Sequence, residues 1–249
     1  MWDKPQILLW IANFLNAMAV VILLYAGLFA LVHSPFFPVR EVRIDGQLTH
    51  VSREQINMIV GRYLKGNFFT LDLESTRDAF QKLPWARSVS VRRRWPDKLE
   101  VVIEEQKELA RWGNIALVNS YGELFMAASD SDLPVFYGPG NGVREVAEHY
   151  ASFSRSLATT GMKITQLALS PRRAWQIKTD KNMVIELGRE QMETRLAKFA
   201  SVYQETLGGL GVQVSYADLR YPNGFAVRKP ALAGKIPPHK TTTHQTGAA

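Results

Sequence analysis

Residues 83–106 read LPWARSVSVRRRWPDKLEVVIEEQ, and this stretch decides the fold of the first half of the chain. Val89, Val91 and Trp95 alternate with polar residues before Pro96-Asp97, and Leu99, Val101 and Ile103 do the same after it. That is the period of two half-buried strands joined by a turn. A two-residue Pro96-Asp97 loop would set Trp95 against Lys98 and turn the valines away from Leu99, Val101 and Ile103. A three-residue loop instead sets Trp95 against Leu99, Arg93 against Val101 and Val91 against Ile103, so that the apolar sides coincide. The outer face then brings Arg94 opposite Glu100 and Ser90 opposite Glu104, with Arg92 diagonal to both acids. Arg93 shares the inner row near the hairpin end, where its stem can reach past Trp95 to solvent. The three arginines are thus expected on a charged sheet rather than in a nucleic-acid groove, where Trp95 would have to be free to stack on bases.

Working back from the hairpin, Val39, Val42 and Ile44 precede an Asp-Gly turn and read as a strand. Ser52 with Gln55 forms a capping box, and Val51 with Ile56 a hydrophobic staple, so a helix starts there. Ile56, Ile59, Val60, Tyr63 and Leu64 make its apolar face. A second helical pattern runs through Leu73, Ala79, Phe80 and Leu83 and ends at Pro84. The order is β-α-α-β-β.

Further upstream, Ile7 to Val32 carries no charge. A helix of that length spans about 30 Å of hydrocarbon. Ala17-Met18-Ala19 has the look of a signal cleavage site, but the apolar run continues well past it, and an uncleaved anchor is expected. Trp2, Trp10, Phe36 and Phe37 sit where interfacial aromatics belong, and residues 1–6 are read as a short cytoplasmic segment.

Downstream, residues 109–229 read as a second α+β region. LARW, IALVNSYGELF and LPVFYG suggest strands, with Tyr121-Gly122 as a hairpin turn. Val143, Val146, Ala147, Tyr150, Phe153 and Leu157 mark one helix, and Met192, Leu196, Phe199, Tyr203 and Leu207 another. ITQLALSPRRAWQIKTD and NMVIELG read as a strand pair around Asp180-Lys181-Asn182. VQVSYADLRYPNGFAVRK supplies the last strand region, with a turn or bulge at Pro222-Asn223-Gly224. Residues 230–249 are polar and read as a flexible tail.

Motifs for chemistry are missing. With 249 residues, 46% of them hydrophobic, and no cysteine, the chain can build cores but no disulfide or thiolate site. The five histidines have no metal-ligand spacing, and GPGNG at 138–142 lacks the spacing of a phosphate cradle. Glu104 and Glu105 point to opposite faces of a strand and cannot share acid and base roles. The net charge of +7 favours an anionic partner without choosing one. An envelope polymer-binding module and a hydrolase with scattered residues are the alternatives to an interaction protein.

One membrane helix, a β-α-α-β-β unit carrying the opening stretch, and a second domain with LARW, LPVFYGP, SPRRAWQI, ELGR, RLAKF and YADLRYPNGFAV resemble the bacterial FtsQ/DivIB cell-division family of Gram-negative type. The resemblance implies an α+β protein with a transmembrane helix at 7–32, a POTRA domain at 39–106 and a β domain at 109–229. It implies a non-enzymatic scaffold without cofactors, in the inner membrane at the division septum, its bulk in the periplasm. It further implies that the β domain binds FtsB and FtsL, that the POTRA domain meets FtsK or other upstream division proteins, and that nucleic acid is no partner. By motif, Arg172, Tyr221, Asn223 and Gly224 correspond to the FtsB-binding site, with Arg173, Trp175 and Phe225 as its support. Val91, Arg93 and Glu105 correspond to the POTRA recruitment surface.

Overall fold

The computed structural model describes residues 5–34, 36–64, 66–203, 205, 214–222 and 224–229. Helix α1 runs Pro5–Val32. Its segment Gln6–Val32 is long and apolar enough to cross a membrane, as a single-pass anchor requires. The chain divides into two compact units, Met1–Lys107 and Glu108–Ala249.

In the first unit, strand β1 (Glu41–Asp45) leads into α2 (Arg53–Tyr63) and α3 (Leu73–Gln81), then into β2 (Ala86–Arg94) and β3 (Lys98–Glu105). The sheet order is β1-β3-β2, with β1 parallel and β2 antiparallel to β3. Both sides of the Ser52/Gln55 capping box form. Asp72 caps α3 by accepting from the backbone N–H groups of Glu74 and Ser75, a signal the periodicity did not carry. Leu99, Val101 and Ile103 are buried against the helices, whereas Glu104 and Val102 face out.

The face assignment of the hairpin is therefore as expected, but its register is not. Val91 lies opposite Val101, Arg93 opposite Leu99 and Arg94 opposite Lys98, two residues displaced from the pairing that the spacing suggested. Lys98 is held in the ladder because β1 pairs from Glu41 onward with Lys98 onward. The turn is then Trp95-Pro96-Asp97, where proline has no ladder hydrogen bond to lose, and the Trp95–Pro96 bond is cis. Trp95 leaves the core row altogether and is 81% exposed.

The second unit holds a nine-stranded sheet in the order β12-β11-β10-β9-β8-β7-β4-β5-β6. Its strands are β4 (Glu108–Trp112), β5 (Ala116–Asn119), β6 (Leu124–Phe125), β7 (Val135–Tyr137), β8 (Ile164–Leu169), β9 (Trp175–Thr179), β10 (Val184–Gly188), β11 (Tyr216–Asp218) and β12 (Ala226–Arg228). Helices α4 (Val143–Ala158) and α5 (Met192–Val202) bury Phe153, Leu157, Leu196 and Phe199 in a core shared with Phe136, Leu167 and Ile177 of the sheet. Gly140–Gly142 is a short 3₁₀ turn leading into α4, not a phosphate loop. The expected strand pair over 164–188 is three strands. Ser170–Ala174 folds back on itself through Ser170 N–H to Ala174 C=O and Arg173 N–H to Ser170 C=O, with Arg173 left-handed at φ 64°. Leu207, Asn223 and the tail at 230–249 lie outside the described residues.

Candidate functional site at the end of the large sheet

Strand order and direction gather the β-domain residues at one place. β9 begins at Trp175, which pairs with Gly188 at the end of β10. β11 is parallel to β10, with Asp218 against Glu186, and β12 is antiparallel to β11, with Ala226 against Asp218. The β8–β9 turn with Arg172 and Arg173, the residues following β11, and the start of β12 therefore share one end of the sheet. β9 and β11 are two strand spacings apart, about 10 Å. Beyond β12 the sheet has no further strand among the described residues, and all three of its residues are exposed.

The side chains at this end divide by what they touch. Trp175 is 1% exposed, edge-on to Phe153 and stacked on His149 with ring centres 4.7 Å apart. Phe225 meets Phe199 edge-on at 5.2 Å. Arg173 pairs with Glu145 of α4 at 2.6 Å. These three hold the end together. Arg172 is exposed and makes no side-chain hydrogen bond or ion pair among the described residues. Tyr221 is 55% exposed, and Gly224 is exposed with open space around the position a Cβ would take.

One clamp was not visible in the sequence. Arg220 Nε and Nη2 donate to the two carboxylate oxygens of Asp218 at 2.9 and 2.7 Å, and the Arg220 backbone N–H adds a third bond to Oδ1. Side-chain donation from Arg220 holds the buried Asp218 carboxyl below the usual carboxylate range, and the same contact raises Arg220. Gly188, at φ +78°, lies beneath this arginine: a Cβ there would come 3.1 Å from Arg220 Cγ. An i,i+2 Asp-Leu-Arg gives no periodic signal, so only the strand-end geometry reveals the pair.

In the first unit the three recruitment candidates are engaged in their own fold. Val91 is half-buried against the inner row. Arg93 is exposed, as its place near the hairpin end implies, but its guanidinium is also committed within the unit: it donates to the carbonyls of Phe68, Phe69 and Leu71 at 2.7, 3.3 and 2.6 Å. Glu105, its side chain 8% exposed, accepts from the backbone N–H groups of Thr49, His50 and Val51 at 2.9, 3.1 and 2.8 Å. Burial pushes the Glu105 carboxyl up, but the three amide donors outweigh it and leave it below the usual range. Exposure of Trp95 removes one sequence-based reason for setting nucleic acid aside. The pairing of Arg94 with Glu100 at 3.2 Å and of Arg87 with Glu104 at 2.9 Å remains.

Comparison with known proteins agrees with this layout. Residues 37–106 match the POTRA domain of FtsQ type, and residues 110–220 match the family described as cell division protein FtsQ/DivIB, C-terminal. The chain is 42% identical to a cell division protein FtsQ of Nitrosospira multiformis, over 92% of this chain and 99% of that protein. It is 41% identical to one of Burkholderia pseudomallei, over 92% and 94%. It is 34% identical to one of Neisseria gonorrhoeae, over 92% and 95%. With both domains matched in order and relatives aligned almost end to end, the chain belongs to the FtsQ/DivIB family of cell-division proteins.

Proposed function

We propose that this chain is a non-enzymatic scaffold of the division machinery, anchored in the inner membrane with both folded units in the periplasm, and that its β domain binds FtsB and FtsL at the end of the sheet described above. The observation that carries the reading is β12, an exposed edge strand with no neighbour on its outer side among the described residues. Such an edge accepts an incoming strand through main-chain hydrogen bonds, while flanking side chains select the partner. Tyr221 is the aromatic anchor, and Arg172 is the exposed cation to be met by an acidic residue. Gly224, exposed ahead of β12, belongs to the same site, and Asn223 is assigned to it by motif. The POTRA domain takes part in recruitment by FtsK or other upstream division proteins, and the whole links early and late components of the septum.

The test is binding of the periplasmic part of FtsB to the full chain in detergent. Arg172→Glu is expected to weaken it by about 2–5 kcal/mol if the arginine is desolvated against a carboxylate, and by less at a rim. Tyr221→Ala should also weaken it, with melting temperature unchanged in both variants. Unchanged affinity in both would refute the site.

A further inference from the structure

Trp95 is a large apolar ring that its own unit leaves uncovered. Its position is fixed by topology. β1 is parallel to β3 and starts level with Lys98, so the β2–β3 turn lies at the end of the sheet where the chain arrives from α1. Hydrogen bonds draw the three elements together. Asn67 Nδ2 donates to the carbonyls of Val32 and Ser34 at 2.6 and 3.0 Å, and Phe68 N–H donates to Phe37 C=O at 2.8 Å. Arg93 of β2 grips the carbonyls of Phe68, Phe69 and Leu71, and the Arg40 N–H donates to Asp97 C=O in the turn at 2.9 Å. The end of the apolar helix, the Asn67–Leu71 loop and the hairpin tip thus form one cluster.

That cluster shows solvent a particular mixture. Phe36 is 82% exposed, Phe69 44% and Trp95 81%. Arg40 and Arg94 stand beside them with side chains 74% and 69% exposed; Arg94 is paired with Glu100 at 3.2 Å and Arg40 lies 4.0 Å from Asp97, so each guanidinium meets phosphate only with N–H groups its own acid leaves over. A tryptophan, whose ring is apolar and whose N–H is polar, set among further exposed aromatic rings and flanked by arginine is what the headgroup region of a bilayer favours, because the rings replace water with acyl chain while the guanidinium meets phosphate. A helix that spans the bilayer ends at that region, and the hydrogen bonds above hold the tip beside its last residues.

We propose that the hairpin tip of the POTRA unit docks on the bilayer that α1 spans, with Trp95, Phe36 and Phe69 in the interface and Arg40 and Arg94 toward anionic lipid phosphates. This rests on the anchor reading of α1 and goes beyond the scaffold reading: the membrane, not only the helix, restrains the POTRA domain. Continuity with the membrane helix favours lipid over a protein partner as the cover for Trp95.

The experiment uses tryptophan fluorescence of the full chain in nanodiscs of phosphatidylethanolamine and phosphatidylglycerol, with and without brominated acyl chains. Trp95 is too exposed for its substitution to disturb the fold, so its emission is the difference between the natural chain and Trp95→Phe. That component is expected to be blue-shifted from aqueous tryptophan, to lose most of its intensity to brominated lipid, and to be shielded from iodide. A component emitting as in water and quenched by iodide alone overturns the proposal. A blue-shifted component untouched by brominated lipid also overturns it, by showing cover from protein. Six tryptophans are present, so Trp10, within α1, is read in the same way, as the difference between the natural chain and Trp10→Phe. If its emission escapes brominated lipid, the anchor reading fails and the docking falls with it; if Trp10 is quenched and Trp95 is not, the docking alone fails.

Discussion

Removing the Glu105 carboxylate should loosen the POTRA unit more than any exposed substitution on the same sheet. Its oxygens take three consecutive amides, those of Thr49, His50 and Val51, and so fix the entry to α2 against the end of β3. Thr49 and His50 are exposed, so in Glu105→Ala water can replace the carboxylate at their amides, whereas Val51 is 8% exposed and its N–H would be left short of a partner. One buried orphan amide at about 1–3 kcal/mol and two weakened bonds at about 0.5 kcal/mol each give a loss of about 2–4 kcal/mol. For a unit of this size each kcal/mol shifts the melting temperature by about 4–8 °C, so it should fall by roughly 8–32 °C. Glu105→Gln keeps one acceptor and should lose about half as much. The pH dependence has a definite sign. The folded carboxyl titrates below its unfolded value, so its contribution is present above the unfolded value and is lost as pH falls through the folded one. The gap between the natural chain and Glu105→Gln should hold from neutrality to about pH 5 and close below it. Thermal melts across pH, with amide hydrogen exchange at residues 49–51, would show this. An unchanged melt and unchanged exchange in Glu105→Ala, or a gap that widens in acid, would refute the reasoning.

Two further outcomes follow from the same geometry. Arg93→Ala should free the carbonyls of Phe68, Phe69 and Leu71, speed amide exchange in that loop and cost about 1.5–3 kcal/mol, and Arg93→Lys should not restore it because an ammonium cannot span three acceptors; an unchanged loop would count against the clamp. Gly122→Ala in the β5–β6 turn combines a left-handed φ of +74° with a Cβ 2.7 Å from the Arg144 Cα, so it should destabilise the β domain by about 2–4 kcal/mol in a denaturant titration, and a neutral result would contradict the close approach.

What the sequence disclosed and what it withheld have physical causes. The faces of the hairpin were legible because a period of two fixes which side is apolar, and Leu99, Val101 and Ile103 are buried accordingly. Its register was not, because a slide by two residues leaves every face unchanged; the parallel partner β1, more than fifty residues earlier in the chain, decides it. The turn at Ser170–Ala174 has no signature in the sequence because its left-handed residue is Arg173 rather than glycine. The end-of-sheet location of Tyr221 and Arg172 needed the parallel pairing of β10 with β11, across the helix between them, which no local pattern specifies. The partners of Arg93 and Glu105 are backbone groups 22 to 56 residues away, and backbone acceptors and donors carry no residue code.

That last point changes how the two groups of site residues can be used. Arg93 and Glu105 give their side chains to their own domain, so a substitution that abolishes recruitment at either position reports first on the fold, and contact with another protein can be inferred only if stability is unchanged. Arg172 and Tyr221 are exposed, and neither is an anchor of the core, so loss of binding there reads as loss of contact. On the opposite face of the POTRA sheet, Arg92 is exposed and Val102 is 42% exposed, and neither belongs to the Arg93 or Glu105 clamp. A recruitment surface on that sheet is therefore better sought by reversing Arg92 or replacing Val102 with a charge, changes that leave both the Arg93 and the Glu105 clamps in place.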